Sequence, residues 1–180
     1  FVDRLDIQQK GCDLLIQITE RAQRLLGDLM PPLLIVGNGP DQSMLERQVQ
    51  KAGLSNIIRF CGRVEGGKKF ELMAQAFAVL MPSRFETFGI VAAESQACGA
   101  PLIAFDVGPL KDVTGGVRTF LVAPFDLDAF AQEMARTVTE QKNLSPVGKQ
   151  ARQWARKYDW DLIAHQQEAV YQQVVEASAS

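Results

Sequence analysis

The chain has 180 residues, of which 47% are hydrophobic and 22% are charged, and its formal net charge is −2. This length suits one domain with a substantial core. The near-neutral charge gives no basic field of the kind that binds nucleic acid or acidic membranes. No apolar run approaches the roughly 18 residues of a membrane span, and no signal-peptide pattern opens the chain.

The three cysteines, Cys12, Cys61 and Cys98, are scattered along the chain, and each lies beside apolar residues. An odd, scattered set does not favour a disulfide framework or a zinc site, so the sequence predicts free thiols in a reducing compartment. The opening FVDRLD has no Met and reads as the middle of a strand. We therefore expect the chain to be a piece of a longer protein.

Short apolar runs alternate with helical patterns along the first two thirds of the chain. The runs that predict strands are LLIV (33–36), NIIRF, FAVLMPS, PLIAF and TFLV. The stretches that predict helices are PDQSMLERQVQKAG, KKFELMAQA and GIVAAESQACG. The first of these helices places Met44, Leu45, Val49 and Ala52 on one face. Gly53 and Gly99 stand where the first and third of these helices should end.

The last third of the chain is predicted to be helical. DLDAFAQEMARTVTE places Phe130, Met134 and Val138 on one stripe, and DWDLIAHQQEAVYQQVV does the same with Trp160, Ile163, Ala164, Tyr171 and Val174. TEQKNLSPVG (139–148) reads as a loop between helices. Strands that alternate with helices of this length imply right-handed crossovers and a parallel sheet. The predicted fold is thus a Rossmann-like three-layer α/β/α domain with a parallel sheet.

A carboxylate in an apolar helix is the most informative single feature. If residues 90–98 are helical, Glu94 has Ile90, Val91, Ala97 and Cys98 as its neighbours at three and four residues' distance. A carboxylate on that face must find a partner or bind a ligand, because an unpaired buried charge is heavily penalised. The alternative is that Glu94 lies at the rim of the buried face and reaches water.

The residues before this helix indicate an anion site. ETFGIV leads into the helix N-terminus, where free backbone N–H groups and the helix dipole attract anions, and Gly89 allows close approach to the backbone. Two carboxylates, Glu86 and Glu94, flank this site, and carboxylates accept hydrogen bonds from hydroxyls. A ligand with both phosphate and hydroxyl groups, such as a nucleotide sugar, satisfies the set.

Positive charge comes from the first loop, DRLDIQQKG. In a parallel sheet, ligands bind at the carboxyl ends of the strands, where Arg4 and Lys10 could converge on a diphosphate. The alternative is a pair of solvated surface cations.

Three other patterns have simpler explanations. GNGP (37–40) lacks the third glycine and the spacing of the dinucleotide fingerprint, so it does not support NAD. DLD (126–128) resembles an Asp-X-Asp metal motif, but Asp126 or Asp128 fits better as a helix cap. The lone His165 lies in a terminal helix and is read as structural or exposed, which leaves no catalytic triad.

Several segments in this order resemble one family. RLDIQQKG, LLIVGNGP, IIRFCGRV, MPSRFETFGIVAAESQACGAPLIA and GPLKDV are similar to the C-terminal, donor-binding domain of retaining GT-B glycosyltransferases of family 4, the group 1 glycosyltransferases. The Glu–seven residues–Glu element with FGIV is the specific part. The resemblance covers nearly the whole chain and implies that residues 1–180 are one half of a GT-B fold.

The resemblance implies a role for each matching residue. Those implied to act in catalysis are Arg4 and Lys10, which hold the donor's diphosphate, and Glu86, which bonds sugar hydroxyls. Those implied to bind substrate are Val64 at the base, Phe88, Gly89 and Ile90 as backbone donors to sugar or phosphate, and Glu94 at the ribose hydroxyls. Asp3 stands where the family usually has glycine, and it adds a negative charge near the phosphate.

The implied function is a hexosyltransferase that moves a sugar from a nucleoside diphosphate to a hydroxyl acceptor with retention, without a metal or other cofactor. The acceptor would bind to a missing N-terminal domain, and the terminal helix (159–180) would pack on that domain. We expect the isolated domain to be inactive. The expected location is cytoplasmic, or peripheral to the inner face of the membrane for the longer protein. Alternatives are a GT-B-like nucleotide-sugar epimerase and a non-catalytic nucleotide- or partner-binding module.

Overall fold

The computed structural model of the chain describes residues 1–140 and 148–178. Its strands are β1 (Leu33–Val36), β2 (Ile58–Gly62), β3 (Val79–Met81), β4 (Leu102–Phe105) and β5 (Thr119–Val122). Its α-helices are α1 (Ile7–Lys10), α2 (Leu14–Leu26), α3 (Gln42–Lys51), α4 (Gly67–Gln75), α5 (Ile90–Cys98), α6 (Leu110–Thr114), α7 (Leu127–Thr139), α8 (Gly148–Ala155) and α9 (Trp160–Ser178).

All strand pairs in the described residues are parallel. β1 pairs with β2, and β3, β4 and β5 pair in that order. Val2 forms a further parallel bridge to Val36, so the start of the chain extends the first group by one position. Because each pair is parallel, the loops that follow these strands gather at one edge, where ligands bind in such sheets.

Both faces of β3 and β4 are buried, which explains why these two strands are continuous apolar runs. β2 is covered on one face only, since Arg59 and Cys61 are exposed. Leu80, Ile103 and Phe105 face a core that also holds α2 and α7. Their neighbours in the strands, such as Met81 and Ala104, face a second core that holds residues of α5 and α6. Side chains alternate between faces along a strand, so this division confirms the predicted three-layer α/β/α arrangement.

Five predicted strands coincide with observed strands, whereas the strand predicted at FVDRLD is reduced to the single bridge at Val2. The helices α1, α2, α6 and α8 differ from the prediction. The sequence after the first loop predicts a helix that starts at Gly11, whereas α2 begins at Leu14 and Gly11 ends the short α1 in a left-handed conformation. Neither α6 nor α8 was predicted, because five and eight residues give too little apolar periodicity. Most of the loop predicted at 139–148 lies outside the described residues. Its two ends, Thr139 and Gly148, belong to α7 and α8.

The terminal helix α9 is exposed along its described length. The apolar stripe predicted for it is present, but Trp160, Tyr171 and Val174 are 81%, 61% and 59% exposed. By contrast, the stripe of α7 packs as expected, with Phe130 and Met134 in the core. Among the helices of residues 1–140 and 148–178, none is both long and apolar enough to cross a membrane.

The three cysteines are free thiols, as the sequence predicts. Cys12 is fully buried, and burial raises the pKa of its thiol to about 11. Burial also raises the pKa of Cys98, and the nearby Glu94 carboxylate adds to this effect.

The loop after β1 packs closely against the start of the chain. A Cβ on Gly37, whose φ is +138°, would overlap the carbonyl oxygen of Asp3, and a Cβ on Gly39 would overlap that of Leu5. The GNGP turn therefore lets two loops at the carboxyl edge lie against each other.

Candidate functional site

A cleft of about 430 Å³ opens at the carboxyl edge of β1 and β2. Its lining comes from the start of the chain, the loops after β1 and β2, and helices α4 and α5: Val2, Asp3, Arg4, Val36, Gly37, Asn38, Arg63, Val64, Lys69, Ile90, Val91 and Glu94. Four of the eight predicted site residues are among them, namely Arg4, Val64, Ile90 and Glu94. The other four lie outside this lining, so the structure brings only part of the predicted set together.

Glu94 is both paired and partly accessible. Lys69 Nζ donates a hydrogen bond to Glu94 Oε1, and the two side chains are 23% and 20% exposed. The sequence left open whether Glu94 is a carboxylate with a partner on a buried face or one at the rim of that face, and the structure combines the two, since Glu94 is paired and lies at the rim. Ile90 is 64% exposed, whereas α5 buries Ala92, Ala93, Ser95 and Gln96. Glu94 thus lies on the face that α5 turns toward the cleft.

Lys10 lies between two carboxylates beneath the cleft. Its Nζ is 2.8 Å from Glu86 Oε1 and 2.9 Å from Asp3 Oδ2. Burial alone would lower the pKa of Lys10, but the bonds to Glu86 and Asp3 outweigh burial and raise it above its ordinary value. Lys10 therefore keeps its positive charge at neutral pH, while two negative charges compete with any phosphate for it.

Arg4 is the more accessible of the two predicted cations. Its side chain is 58% exposed and pairs with Asp6 at 2.7 Å. Its backbone N–H donates to Asp3 Oδ1 at 2.7 Å. Because exposed ion pairs contribute little to stability, a phosphate in the cleft can draw the Arg4 guanidinium away from Asp6 at small cost.

The N-terminus of α5 has free backbone donors next to the cleft. Among the described residues, none accepts a hydrogen bond from the N–H groups of Ile90 or Val91. Gly89 precedes them with a φ of +86°, and a Cβ there would overlap Leu110. Glycine is thus required both by conformation and by packing. The free N–H groups leave the helix N-terminus available to an anion, as such termini often are in proteins.

Glu86 is almost fully buried, at 4% exposure. Its Oε1 accepts hydrogen bonds from Ser83 Oγ and Lys10 Nζ, both at 2.8 Å. Phe88 packs its ring edge-on against Tyr158, with the ring centroids 5.4 Å apart. Neither residue lines the cleft. The contacts predicted for the Glu86 carboxylate and for the Phe88 backbone N–H therefore need a ligand that reaches past the cleft toward the loop after β3.

Arg84 fixes that loop to the start of the chain. Its guanidinium donates to both carboxylate oxygens of Asp13 at 2.8 and 2.9 Å, and to the carbonyl of Ile7 at 2.6 Å. The bidentate bond to Asp13 raises the pKa of Arg84. The Arg84–Asp13 ion pair joins the loop that carries Glu86 to the segment that follows Lys10. It therefore helps to hold Lys10 within hydrogen-bond distance of Glu86.

Sequence reasoning missed two cations of the cleft, Arg63 and Lys69. Arg63 pairs with Glu65 at 2.6 Å, and both side chains are about 70% exposed. Lys69 lies in the first turn of α4, where the helix dipole disfavours a positive charge. The mismatch does not single out Lys69 in the sequence, because Lys68 lies in the same turn and is exposed to solvent.

A second cavity, of about 310 Å³, lies at the opposite end of the strands, between β1 and β3. Its walls are mainly apolar residues such as Met30, Leu34, Leu72 and Val79, and no Lys, Arg or His of the described residues lines it. Without a cation to bind phosphate it is the weaker candidate, and the cleft at the carboxyl edge is the better one.

Two simpler interpretations of the sequence are confirmed. Asp126 caps α7 by accepting a hydrogen bond from the N–H of Ala129 at 2.9 Å, while Asp128 pairs with Arg21. His165 is exposed on α9. Among the described residues, no group of three or more His, Cys, Asp or Glu side chains is arranged to hold a metal ion.

The family of the chain is shown by comparison with known protein families. Residues 1–154 match the family model described as "Glycosyl transferases group 1". The chain belongs to this family. Among the relatives of this group 1 glycosyltransferase is a D-inositol 3-phosphate glycosyltransferase of Kribbella flavida, 31% identical over all of this chain and 44% of the relative. A phosphatidyl-myo-inositol mannosyltransferase of Mycobacterium leprae is 31% identical over 97% of the chain and 46% of the relative.

Solved GT-B glycosyltransferase structures share the fold. Sucrose-phosphate synthase from Thermosynechococcus elongatus superposes with a TM-score of 0.84 at 29% identity, over 98% of this chain and 45% of that one. Anabaena HepE, in complex with UDP, superposes with a TM-score of 0.74 at 25% identity, over 99% and 47%. The group 1 chain thus spans less than half the length of these proteins, and its Rossmann-like fold corresponds to one half of a GT-B fold.

Replacing Asp3 is expected to strengthen ligand binding, whereas most substitutions in a binding site weaken it. We expect Asp3→Asn to bind UDP and inorganic pyrophosphate about three- to tenfold more tightly, because it removes a negative charge beside the phosphates while keeping an acceptor for the Arg4 N–H. Titration calorimetry measures this, with the exposed Asp28→Asn as a charge-matched control. Unchanged or weaker binding by Asp3→Asn alone would show that the phosphates do not lie near Asp3.

Proposed function

We propose that this group 1 chain is the nucleotide-sugar binding domain of a retaining glycosyltransferase, a hexosyltransferase that moves a sugar from a nucleoside diphosphate to a hydroxyl acceptor. One observation carries the proposal. The cleft combines a cation (Arg4), a free helix N-terminus (Ile90 and Val91) and a carboxylate (Glu94). The first two suit a diphosphate, and the third suits hydroxyl groups.

The names of the comparison proteins support this choice of ligand. The relatives are glycosyltransferases, and HepE has been solved both with UDP and with UDP and glucose. We assign the diphosphate to Arg4 and the N-terminus of α5, the ribose hydroxyls to Glu94, and the base to the backbone at Val64. Lys10 and Glu86, which lie beneath the cleft, would meet the β-phosphate and the sugar.

Transfer requires that charge on the departing phosphate be stabilised. Breaking the bond between the anomeric carbon and the phosphate oxygen leaves negative charge on the diphosphate. Arg4, Lys10 and the α5 N–H groups would stabilise this charge, and such preorganised donors contribute roughly 3–4 kcal/mol each. We propose that the donor phosphate takes the proton of the incoming hydroxyl and that Glu86, held by Ser83 and Lys10, orients the sugar rather than attacking it. No metal or other cofactor is needed for these steps.

The acceptor belongs to a part of the protein outside this chain. The two curated relatives named above are more than twice as long as the matched region. In the proposed arrangement the acceptor binds to an N-terminal domain, and α9 packs its exposed apolar stripe on that domain. Residues 1–180 would then bind the donor without transferring it.

One observation favours a second candidate, a non-catalytic nucleotide- or partner-binding module. The Asp3–Lys10 ion pair places a carboxylate 2.9 Å from the lysine that should bind phosphate. A binding module tolerates such competition because it needs no charge stabilisation in a transition state.

A transfer assay separates the two candidates. We expect this 180-residue chain to bind nucleoside diphosphates but to give at most slow hydrolysis of labelled nucleotide sugars. Positioning donor and acceptor together contributes roughly 7–11 kcal/mol to catalysis, and an open cleft admits water. The longer protein should transfer the labelled sugar to an acceptor extract. Robust transfer by the chain alone would overturn the two-domain proposal, and inactivity of both would favour the binding module.

A further inference from the structure

Lys69 has a position in the cleft that the proposed function leaves unexplained. It lies in the first turn of α4, 25 residues before Glu94 in the chain, and donates a hydrogen bond to Glu94 Oε1. Its ammonium also lies 4.7 Å from the centroid of the Phe70 ring. The side chains of Lys69 and Glu94 are about one fifth exposed, so both are held in place by their surroundings.

The helix itself does not favour a lysine at this position. A positive charge in the first turn opposes the helix dipole, and the neighbouring Lys68 is simply exposed to solvent. Lys69 differs from Lys68 in lining the cleft together with Glu94, Val64 and Ile90. The ion pair is thus part of the wall of the proposed nucleotide site.

Lys69 takes up one oxygen of the Glu94 carboxylate and leaves the other for a ligand. Lys69 occupies Oε1, and within residues 1–140 and 148–178 no group donates a hydrogen bond to Oε2. A carboxylate oxygen accepts strong hydrogen bonds from hydroxyl groups. With one oxygen fixed, the other has a defined direction in which to accept from a hydroxyl.

We propose that Lys69 is a positioning residue that fixes Glu94 for recognition of ribose hydroxyls, and that it thereby sets the preference for ribonucleotides over deoxyribonucleotides. The inference rests on the proposed function, because it takes the ligand to be a nucleoside diphosphate. Lys69 acts through Glu94 in this proposal and does not bind the phosphates itself. This distinguishes it from Arg4, whose role is electrostatic.

The test compares UDP, 2′-deoxy-UDP and inorganic pyrophosphate by calorimetry. Lys69→Met should bind UDP about tenfold more weakly, the scale of a hydrogen bond to a charged group, and should lose most of the preference for UDP over 2′-deoxy-UDP. Its affinity for pyrophosphate should fall much less than its affinity for UDP, because the substitution leaves Glu94 unneutralised near the phosphates but removes no bond to them. Lys69→Arg should restore part of the preference, and Lys68→Met, the matched control, should behave as the wild type.

A double-mutant cycle with Glu94→Gln identifies the route of the effect. If Lys69 acts through Glu94, Lys69→Met has little further effect on UDP binding in the Glu94→Gln background. Additive losses, or an equal loss of pyrophosphate binding, would show direct contact with phosphate and overturn the inference. Unchanged discrimination in Lys69→Met would also overturn it. If the wild type binds none of the three ligands, the proposed function fails and the inference fails with it.

Discussion

The double variant Arg4→Ala/Lys10→Ala is expected to bind UDP at least roughly a hundredfold more weakly, or about 3–6 kcal/mol, and to lose transfer activity in the longer protein. Each cation should contribute a hydrogen bond between charged groups to the diphosphate, worth about 1.5–3 kcal/mol. Lys10 keeps its charge because the bonds to Glu86 and Asp3 raise its pKa despite its partial burial. Calorimetry measures the affinity, and initial rates with a labelled donor measure the activity.

Two controls test whether the loss of affinity comes from contact with the phosphates rather than from a general loss of positive charge. Arg47→Ala/Lys51→Ala removes the same total charge from exposed positions of α3 and should leave UDP binding unchanged. Because removing Lys10 leaves Glu86 buried without its cation, circular dichroism must show that the variant is folded. A measurement without any mutation gives the second control: wild-type affinity should fall as salt is added. Salt-independent binding, unaffected by the double substitution, would place the phosphates elsewhere.

Glu94→Ala is expected to weaken nucleoside diphosphate binding by about 1.5–3 kcal/mol, or roughly tenfold to a hundredfold. Its carboxylate lies in the cleft wall and has an oxygen free to accept from ribose. Binding of inorganic pyrophosphate should not weaken, because that ligand has no hydroxyl groups. Calorimetric titration with both ligands gives the comparison.

The structure adds a detail to the Glu94 prediction. Removing Glu94 frees the ammonium of Lys69, which can then attract phosphate, so pyrophosphate binding can rise slightly but should not fall. Glu71→Ala is the matched control, since Glu71 is exposed on α4. If Glu94→Ala binds UDP as well as the wild type does, the assignment of ribose to Glu94 is wrong.

The strands could be predicted because their apolar runs have one explanation only. FAVLMPS and PLIAF are too short for buried helices and carry no polar alternation, which leaves strands covered on both faces. The short helices α6 and α8 could not be predicted, since one or two turns do not establish a period. The apolar stripe of α9 correctly predicts a helix but not its burial. Whether an apolar helix face is covered depends on the tertiary structure, which the pattern does not contain.

Residues of the candidate site could be predicted where a charged side chain stands among apolar neighbours in the sequence. Glu94 was found because a carboxylate among apolar neighbours needs a partner, and the structure shows one in Lys69. The partner itself could not be identified, because 25 residues separate the two and nothing in the sequence shows that α4 and α5 meet beside the cleft. The ion pair between Lys10 and Glu86 could not be predicted either, because 76 residues separate the two side chains in the chain.

Titration of this chain with UDP, GDP and ADP tests most directly whether the cleft at the carboxyl edge binds a nucleoside diphosphate. We expect at least one of the three to bind with measurable heat, more tightly than inorganic pyrophosphate, and to weaken in the Glu94→Ala variant. Binding of none of them by the folded chain, or binding that is indifferent to both Glu94 and the Arg4/Lys10 pair, would contradict the assignment of this cleft as the donor site.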